Sequence, residues 1–183
     1  IILLAMNLHI KETGCKDICQ KWIFRLYRRW CWNRRKLYRQ YVSYLDSNPD
    51  VGMLYAILYK TDNHEIIDTS GSFLTWCGFL YETYFNRIDP IPILSGKSAL
   101  CMIRKDLFNE VGRFDEDFVI YGEETDLSWR VWLAGYKVMV LPCAIGYHAF
   151  ETSLKPKSYY NPYFIHYHGC KNYITMLIKN LPA

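Results

Sequence analysis

Apolar and polar positions follow two rhythms along the chain. Unalternating apolar runs at 1–5 (IILLA), 53–59 (MLYAILY), 99–104 (ALCMIR) and 137–148 (KVMVLPCAIGYH) predict buried strands. Between them, apolar positions recur at helical spacing. Ile18, Trp22, Leu26 and Trp30 fall four apart within residues 16–41, and SNPDVG (47–52) ends that helix. KDLFNEVG (105–112) predicts a short helix stopped by Gly112. A longer helix is predicted from Glu124 to Ala134, with Leu127, Val131 and Ala134 on one stripe and Gly135 as its stop. A final helix is predicted over 163–180. KTDNHE (60–65) reads as a turn, and 66–94 as loop, with Gly71, Gly78, Pro90 and Pro92. Helices alternating with strands predict an α/β fold.

Composition narrows the class. The chain has 183 residues, 51% apolar and 22% charged, which fits one domain that is globular rather than disordered. Seven scattered cysteines with no C-x-x-C pair argue against a zinc site or a disulfide framework. Reduced, mostly buried thiols of a cytosolic protein are expected. No apolar run reaches the eighteen residues of a membrane-spanning helix, and IILLAMNL lacks the flanks of a signal peptide.

Charge is uneven. Residues 16–41 hold Lys16, Lys21, Arg25, Arg28, Arg29, Arg34, Arg35, Lys36 and Arg39 against one acid, Asp17. A basic amphipathic helix carrying aromatics has three readings: a solvated surface helix, a dock for an anionic membrane, or a nucleic-acid contact. Nucleic acid is the weakest of the three.

The acids gather elsewhere. FDEDFVIYGEETDLSWRVWLAGYKV (114–138) carries Asp115, Glu116, Asp117, Glu123, Glu124 and Asp126 ahead of its apolar half. With the helix starting near Gly122, Glu123, Glu124 and Asp126 occupy the first turn, where the helix dipole favours negative charge. Asp126 and Arg130 form an i,i+4 pair. That is one reading, a well-started helix. The other is catalytic: a carboxylate at a strand-to-helix junction sits where α/β sheets bind ligands, and it can accept a proton from a hydroxyl.

Residues 95–148 (SGKSALCMIRKDLFNEVGRFDEDFVIYGEETDLSWRVWLAGYKVMVLPCAIGYH) resemble the second half of family 2 glycosyltransferases, especially the rhamnosyltransferase-like members. Those enzymes typically read G-x-F-D-E-x-F-F-x-Y-G-E-D-x-D-L-x-x-R-x-x-x-x-G-[YF], then a strand and a His. SNPDVGMLYAILYKTDNHEIIDTSGSF (47–73) and HGCKNYITMLIKNLP (168–182) resemble the family's flanking segments, so the likeness covers about 41–182.

The resemblance implies a GT-A fold, with a Rossmann-like sheet holding a nucleotide-sugar. It implies inverting transfer to the hydroxyl of a polysaccharide or lipid-linked glycan, with a divalent metal (Mn2+ or Mg2+) on the diphosphate. Glu124 then takes the position of the base, with Glu123 before it. Asp126, Gly122, Gly96 and Trp129 are expected on the acceptor side, and His148 is the candidate metal ligand. A place in the cytoplasm, peripheral at the inner membrane face through 16–41, follows from the lipid-linked acceptors of many members.

Two departures stand out. Position 124 is Glu where the family has Asp, and the extra methylene moves the carboxylate by about 1.5 Å. The family's acid-x-acid motif after the first strand is also missing: Asn7-Leu8-His9 holds no acid, and no D-x-D precedes Asp46. The expected organisation is therefore a worn strand plus basic segment at 1–40, then the C-terminal half of a glycosyltransferase domain at 41–183. The nucleotide-binding strands would precede residue 1. A non-catalytic remnant acting as a binding module is the competing expectation.

Overall fold

The computed structural model describes residues 2–4, 34–86, 88–148 and 162–181. In chain order the strands are β1 (Ile2–Leu4), β2 (Val51–Lys60), β3 (Ile67–Thr69), β4 (Ser72–Leu74), β5 (Leu80–Glu82), β6 (Ile91–Pro92), β7 (Cys101–Ile103) and β8 (Lys137–His148). The helices are α1 (Arg34–Ser47), α2 (Lys105–Glu110), α3 (Glu123–Leu133) and α4 (Pro162–Asn180), and a 3-10 turn covers Ser98–Leu100. The expected α/β class holds.

The main sheet runs β1-β7-β2-β8-β6, with β3 added beside β2. Only β2 and β8 pair in parallel; the other contacts are antiparallel. β2 is buried on both faces, as its unbroken apolar run requires. Its alternate residues serve two cores. Leu54, Ala56 and Leu58 pack with Leu37, Tyr41 and Leu45 of α1. Met53, Tyr55 and Ile57 pack with Leu107 of α2 and with Leu127 and Val131 of α3.

Leu141 faces Ala56, and the next pair along is Ile145 with Ile57, so Pro142, Cys143 and Ala144 bulge from the ladder. Pro142 has no N–H to donate, which suits a bulge. Beyond the bulge, a Cβ on Gly146 would stand 1.9 Å from Leu100 Cδ1, so no larger residue fits there without moving Leu100.

α1 ends under Arg104. Its Nη2 donates to the carbonyls of Leu45 (2.6 Å) and Asn48 (3.1 Å), and its Nε to that of Val51 (2.8 Å). A cation on the last carbonyls of a helix completes the dipole. The expected boundary at 40/41 falls inside α1, whose buried stripe already includes Leu37. Residues 16–33 of the basic segment lie outside the described residues. The segment 66–94, read as loop, forms β3 to β6, and the β4–β5 hairpin carries Trp76, 99% exposed, and Phe79. Short strands in Gly- and Pro-punctuated sequence leave too few residues for a period to show. Cys101 is buried, but Cys77, Cys143 and Cys170 are exposed free thiols, contrary to the expectation of mostly buried cysteines. No helix among the described residues is long and apolar enough to cross a membrane.

Candidate active site

α3 starts from a left-handed turn. Tyr121 has φ 66° and Gly122 φ 86°. Glycine adopts that region freely; tyrosine does not. The turn is held from α4, where the Asn172 side-chain amide donates to the carbonyls of Ile120 and Tyr121, both at 2.8 Å. α3 packs on the sheet just ahead of β8 in the chain, and it places Glu123 and Glu124 in its first turn.

Glu124 is raised well above the ordinary carboxylate range. Burial is the main cause, followed by the negative charge of Glu123, a hydrogen bond shared with the Glu123 carboxyl, and the charge of Glu82. Two carboxyls joined by a hydrogen bond cannot both ionise at low cost, so the pair keeps one proton between them. Glu124 Oε2 is buried with no hydrogen-bond partner. Below the pair, the Tyr55 hydroxyl lies 2.8 Å from Ser128 Oγ and donates to the Glu124 backbone carbonyl at 3.5 Å. Burial, with the Cys101 and Glu124 charges behind it, holds the Tyr55 phenol well above its usual value.

A second polar group sits on the neighbouring strands. His148, at the end of β8, donates from Nδ1 to Asp68 Oδ2 at 2.8 Å, and Lys97 Nζ donates to the same oxygen at 3.0 Å. Lys97 also approaches Glu82 at 3.7 Å. Burial alone would raise Asp68; the bonds from His148 and Lys97 outweigh it and hold Asp68 below its usual value. A polar run thus passes from Glu124 by Glu82 and Lys97 to Asp68 and His148.

The expected metal is tested by this geometry. An imidazole that gives one N–H to a carboxylate has its ring orientation fixed, as in metal-ligating histidines. Yet no group of three or more His, Cys, Asp or Glu side chains able to hold a metal exists among the described residues. The described residues therefore do not build a metal site by themselves, and no chemical step is routed through one.

The other residues singled out in the sequence have packing duties. Asp126 is fully buried. Its Oδ2 accepts from Arg130 Nε (2.9 Å) and Nη2 (2.7 Å), and its Oδ1 from Asn180 Nδ2 (3.0 Å), with Lys179 Nζ also at 3.0 Å. Trp129 packs with Phe118 and Met176 between α3 and α4. Gly96 lies so close to the Tyr55 ring that a Cβ would stand 2.8 Å from it. The acceptor contacts expected of Asp126, Trp129 and Gly96 do not follow from these positions. Glu123, Glu124 and Gly122 come together; His148 belongs to the Asp68–Lys97 group. Sequence reasoning missed Asp68, Glu82, Lys97 and His168, which follow no spacing rule. Asn172 had a signal in the K-N step of HGCKN.

Comparison with known proteins places part of the chain beside glycosyltransferases. No family model matches. Similar relatives include N-acetylgalactosaminyltransferases, which support the glycosyltransferase likeness but not its finer rhamnosyltransferase-like assignment. Polypeptide N-acetylgalactosaminyltransferase 3 of Taeniopygia guttata is 35% identical over 72 residues, 39% of this chain and 11% of the relative. A probable N-acetylgalactosaminyltransferase 8 of Caenorhabditis elegans is 35% identical over 72 residues, 39% of this chain and 17% of that protein. An inactive polypeptide N-acetylgalactosaminyltransferase-like protein 5 of Macaca fascicularis is 37% identical over 54 residues, 29% of this chain and 12% of that protein. The chain thus spans between 11% and 17% of these relatives' length. A solved structure of GalNAc-T7 with UDP, GalNAc and Mn2+ aligns with TM-score 0.47 and 18% identity, over 58% of this chain and 23% of that one.

Proposed function

We propose that this region is the acceptor side of a nucleotide-sugar-dependent glycosyltransferase, in which the Glu123–Glu124 pair receives the proton of the acceptor hydroxyl. The observation that carries the reading is the partnerless, buried Oε2 of Glu124 at the start of α3. The match over 72 residues to N-acetylgalactosaminyltransferases supports the reaction class. In the transfer, the acceptor oxygen bonds to the anomeric carbon and the bond from that carbon to the diphosphate breaks. The nucleotide diphosphate leaves with the electron pair, and the acceptor proton passes to the ionised carboxylate of the pair.

A single displacement of this kind inverts the anomeric carbon. The names of the relatives support N-acetylgalactosamine as the sugar, while the family 2 motif supports a deoxyhexose such as rhamnose. A polysaccharide or lipid-linked glycan as acceptor, a cytoplasmic place, and membrane docking through the basic segment 16–41 rest on the family 2 likeness. The test is incubation of the protein with UDP-N-acetylgalactosamine and dTDP-rhamnose, Mn2+, and hydroxyl acceptors. Product is detected by mass and its anomeric configuration by NMR. The reading expects an inverted product; retained configuration would remove the Glu123–Glu124 pair as the acceptor's base in a single displacement.

A second reading, a non-catalytic binding module, draws on Asn7-Leu8-His9 and on the inactive relative. Calorimetry with the same donors and Mn2+ separates the two: binding heat without turnover favours the module.

A further inference from the structure

Glu124 is not the only buried group near this turn with a polar atom left over. Asn172 is 1% exposed, and both donors of its amide are spent on the Ile120 and Tyr121 carbonyls. Those two carbonyl partners fix the orientation of the amide, because only the nitrogen end can donate to them. Oδ1 is therefore a pure acceptor, and it is buried with no partner. One helical turn earlier on the same stripe of α4, His168 is 9% exposed and its Nδ1 is likewise buried with no partner. The ring is wedged between Phe164 (centroids 4.3 Å apart) and Tyr167 (5.2 Å).

A buried polar atom without a partner costs about 1–3 kcal/mol, so these three, one in the first turn of α3 and two on α4, call for an explanation. α4 gives it. Asn180 meets Asp126 inside α3, and Asn172 meets the turn before α3. α4 therefore passes the start of α3 as it is followed back towards His168, which stands about 6 Å further along the axis than Asn172. A Cβ on Gly122 would lie 3.7 Å from Asn172 Cβ, in ordinary contact, so the turn lies against α4, and the left-handed φ of 86° is what favours glycine there. The unused atoms are acceptors, Asn172 Oδ1 and a carboxyl oxygen, and an imidazole nitrogen able to act either way. Their complement is a ligand rich in hydroxyl donors, with a carbon face for the Phe164 and Tyr167 rings. A pyranose has both.

We propose that Asn172 and His168 of α4 form, with Glu124, a binding subsite for a hydroxyl-bearing sugar ring at the start of α3. This deepens the glycosyltransferase reading and rests on it for the role of the bound sugar as acceptor; the binding itself is measurable without turnover.

The probes are methyl glycosides of N-acetylgalactosamine and rhamnose, titrated into the full 183-residue chain. NMR follows the His168 imidazole and the Asn172 side-chain amide. Saturable shifts of both are expected. His168→Phe keeps the ring packing and removes the nitrogen, and should weaken the Kd about tenfold, the equivalent of one lost hydrogen bond. His168→Asn should recover part of the loss, which a purely structural role for the ring would not produce. In a turnover assay the same loss should appear in the acceptor KM and leave the donor KM unchanged. No shift with either glycoside, or equal Kd for the native chain and His168→Phe, overturns the subsite. Turnover alongside either result leaves the glycosyltransferase reading standing. Shifts without any turnover retain the subsite and remove the reaction.

Discussion

Asp126 gives the sharpest separation of structure from chemistry. Asp126→Asn keeps the volume and removes the charge. In the native protein four donors converge on its two oxygens: Arg130 Nε and Nη2 on Oδ2, Asn180 Nδ2 and Lys179 Nζ on Oδ1. An asparagine can accept on only one of those atoms. Whichever way the amide turns, its NH2 meets two donors, and the Arg130 cation, whose side chain is only 18% exposed, loses its counter-charge. Arg130 keeps its bond to the Val111 carbonyl, and Lys179 keeps Asp115 at 2.5 Å, so neither cation is wholly stranded. Breaking one side of a buried pair costs about 3–5 kcal/mol. For a chain of this size that is a fall in Tm of roughly 6–20 °C. Thermal unfolding followed by circular dichroism, at neutral pH and in 0.1 M salt, reads it directly. A loss below about 1 kcal/mol would show that Asp126 does not tie α4 to α3, and would return it to the list of groups free to meet a ligand.

Three other outcomes follow from the same geometry. Glu124 has a raised pKa in the fold, so the native state holds a proton that the unfolded chain releases. Its stabilising effect is complete below the ordinary carboxylate pKa and is lost as pH rises through the folded value. Glu124→Gln should therefore gain stability relative to the native chain as pH rises from 4 to 8; a gap that is flat or shrinks with pH in melting curves contradicts the buried pair. Asp68 is shifted the other way: it is lowered, so the stability it lends is present above the ordinary Asp pKa and is lost as pH falls. Asp68→Asn should remove that part of the acid sensitivity, which acid titration of the two proteins compares. Gly146→Ala drives a methyl into Leu100 and should cost about 3 kcal/mol by overpacking; a urea midpoint close to native would mean that β8 can shift.

The long elements were legible because their sequences carry one strong period or none. The strand predicted over 137–148 is β8 residue for residue, and the helix predicted over 124–134 differs from α3 by one residue at each end. Arg130 was paired with Asp126 from spacing alone, as found. The short strands of 66–94 were not legible, since two- and three-residue strands are set by their partners in the sheet. The candidate site was half legible. Neighbours in sequence, Glu123 and Glu124, could be singled out. Asp68 with His148 and Tyr121 with Asn172 could not, because they meet across 80 and 51 positions of chain through packing that no local pattern encodes. The full satisfaction of Asp126 was equally hidden: Asn180 and Lys179 approach it from α4, far along the chain.

The central claim is that the Glu123–Glu124 pair, through its one ionised carboxylate, takes the proton of an acceptor hydroxyl. The most direct measurement compares sugar transfer by the native protein and by Glu124→Gln, with both shown to be folded by circular dichroism. Loss of a general base predicts a rate lower by about 100-fold or more. Transfer by Glu124→Gln within about threefold of the native rate would contradict the claim.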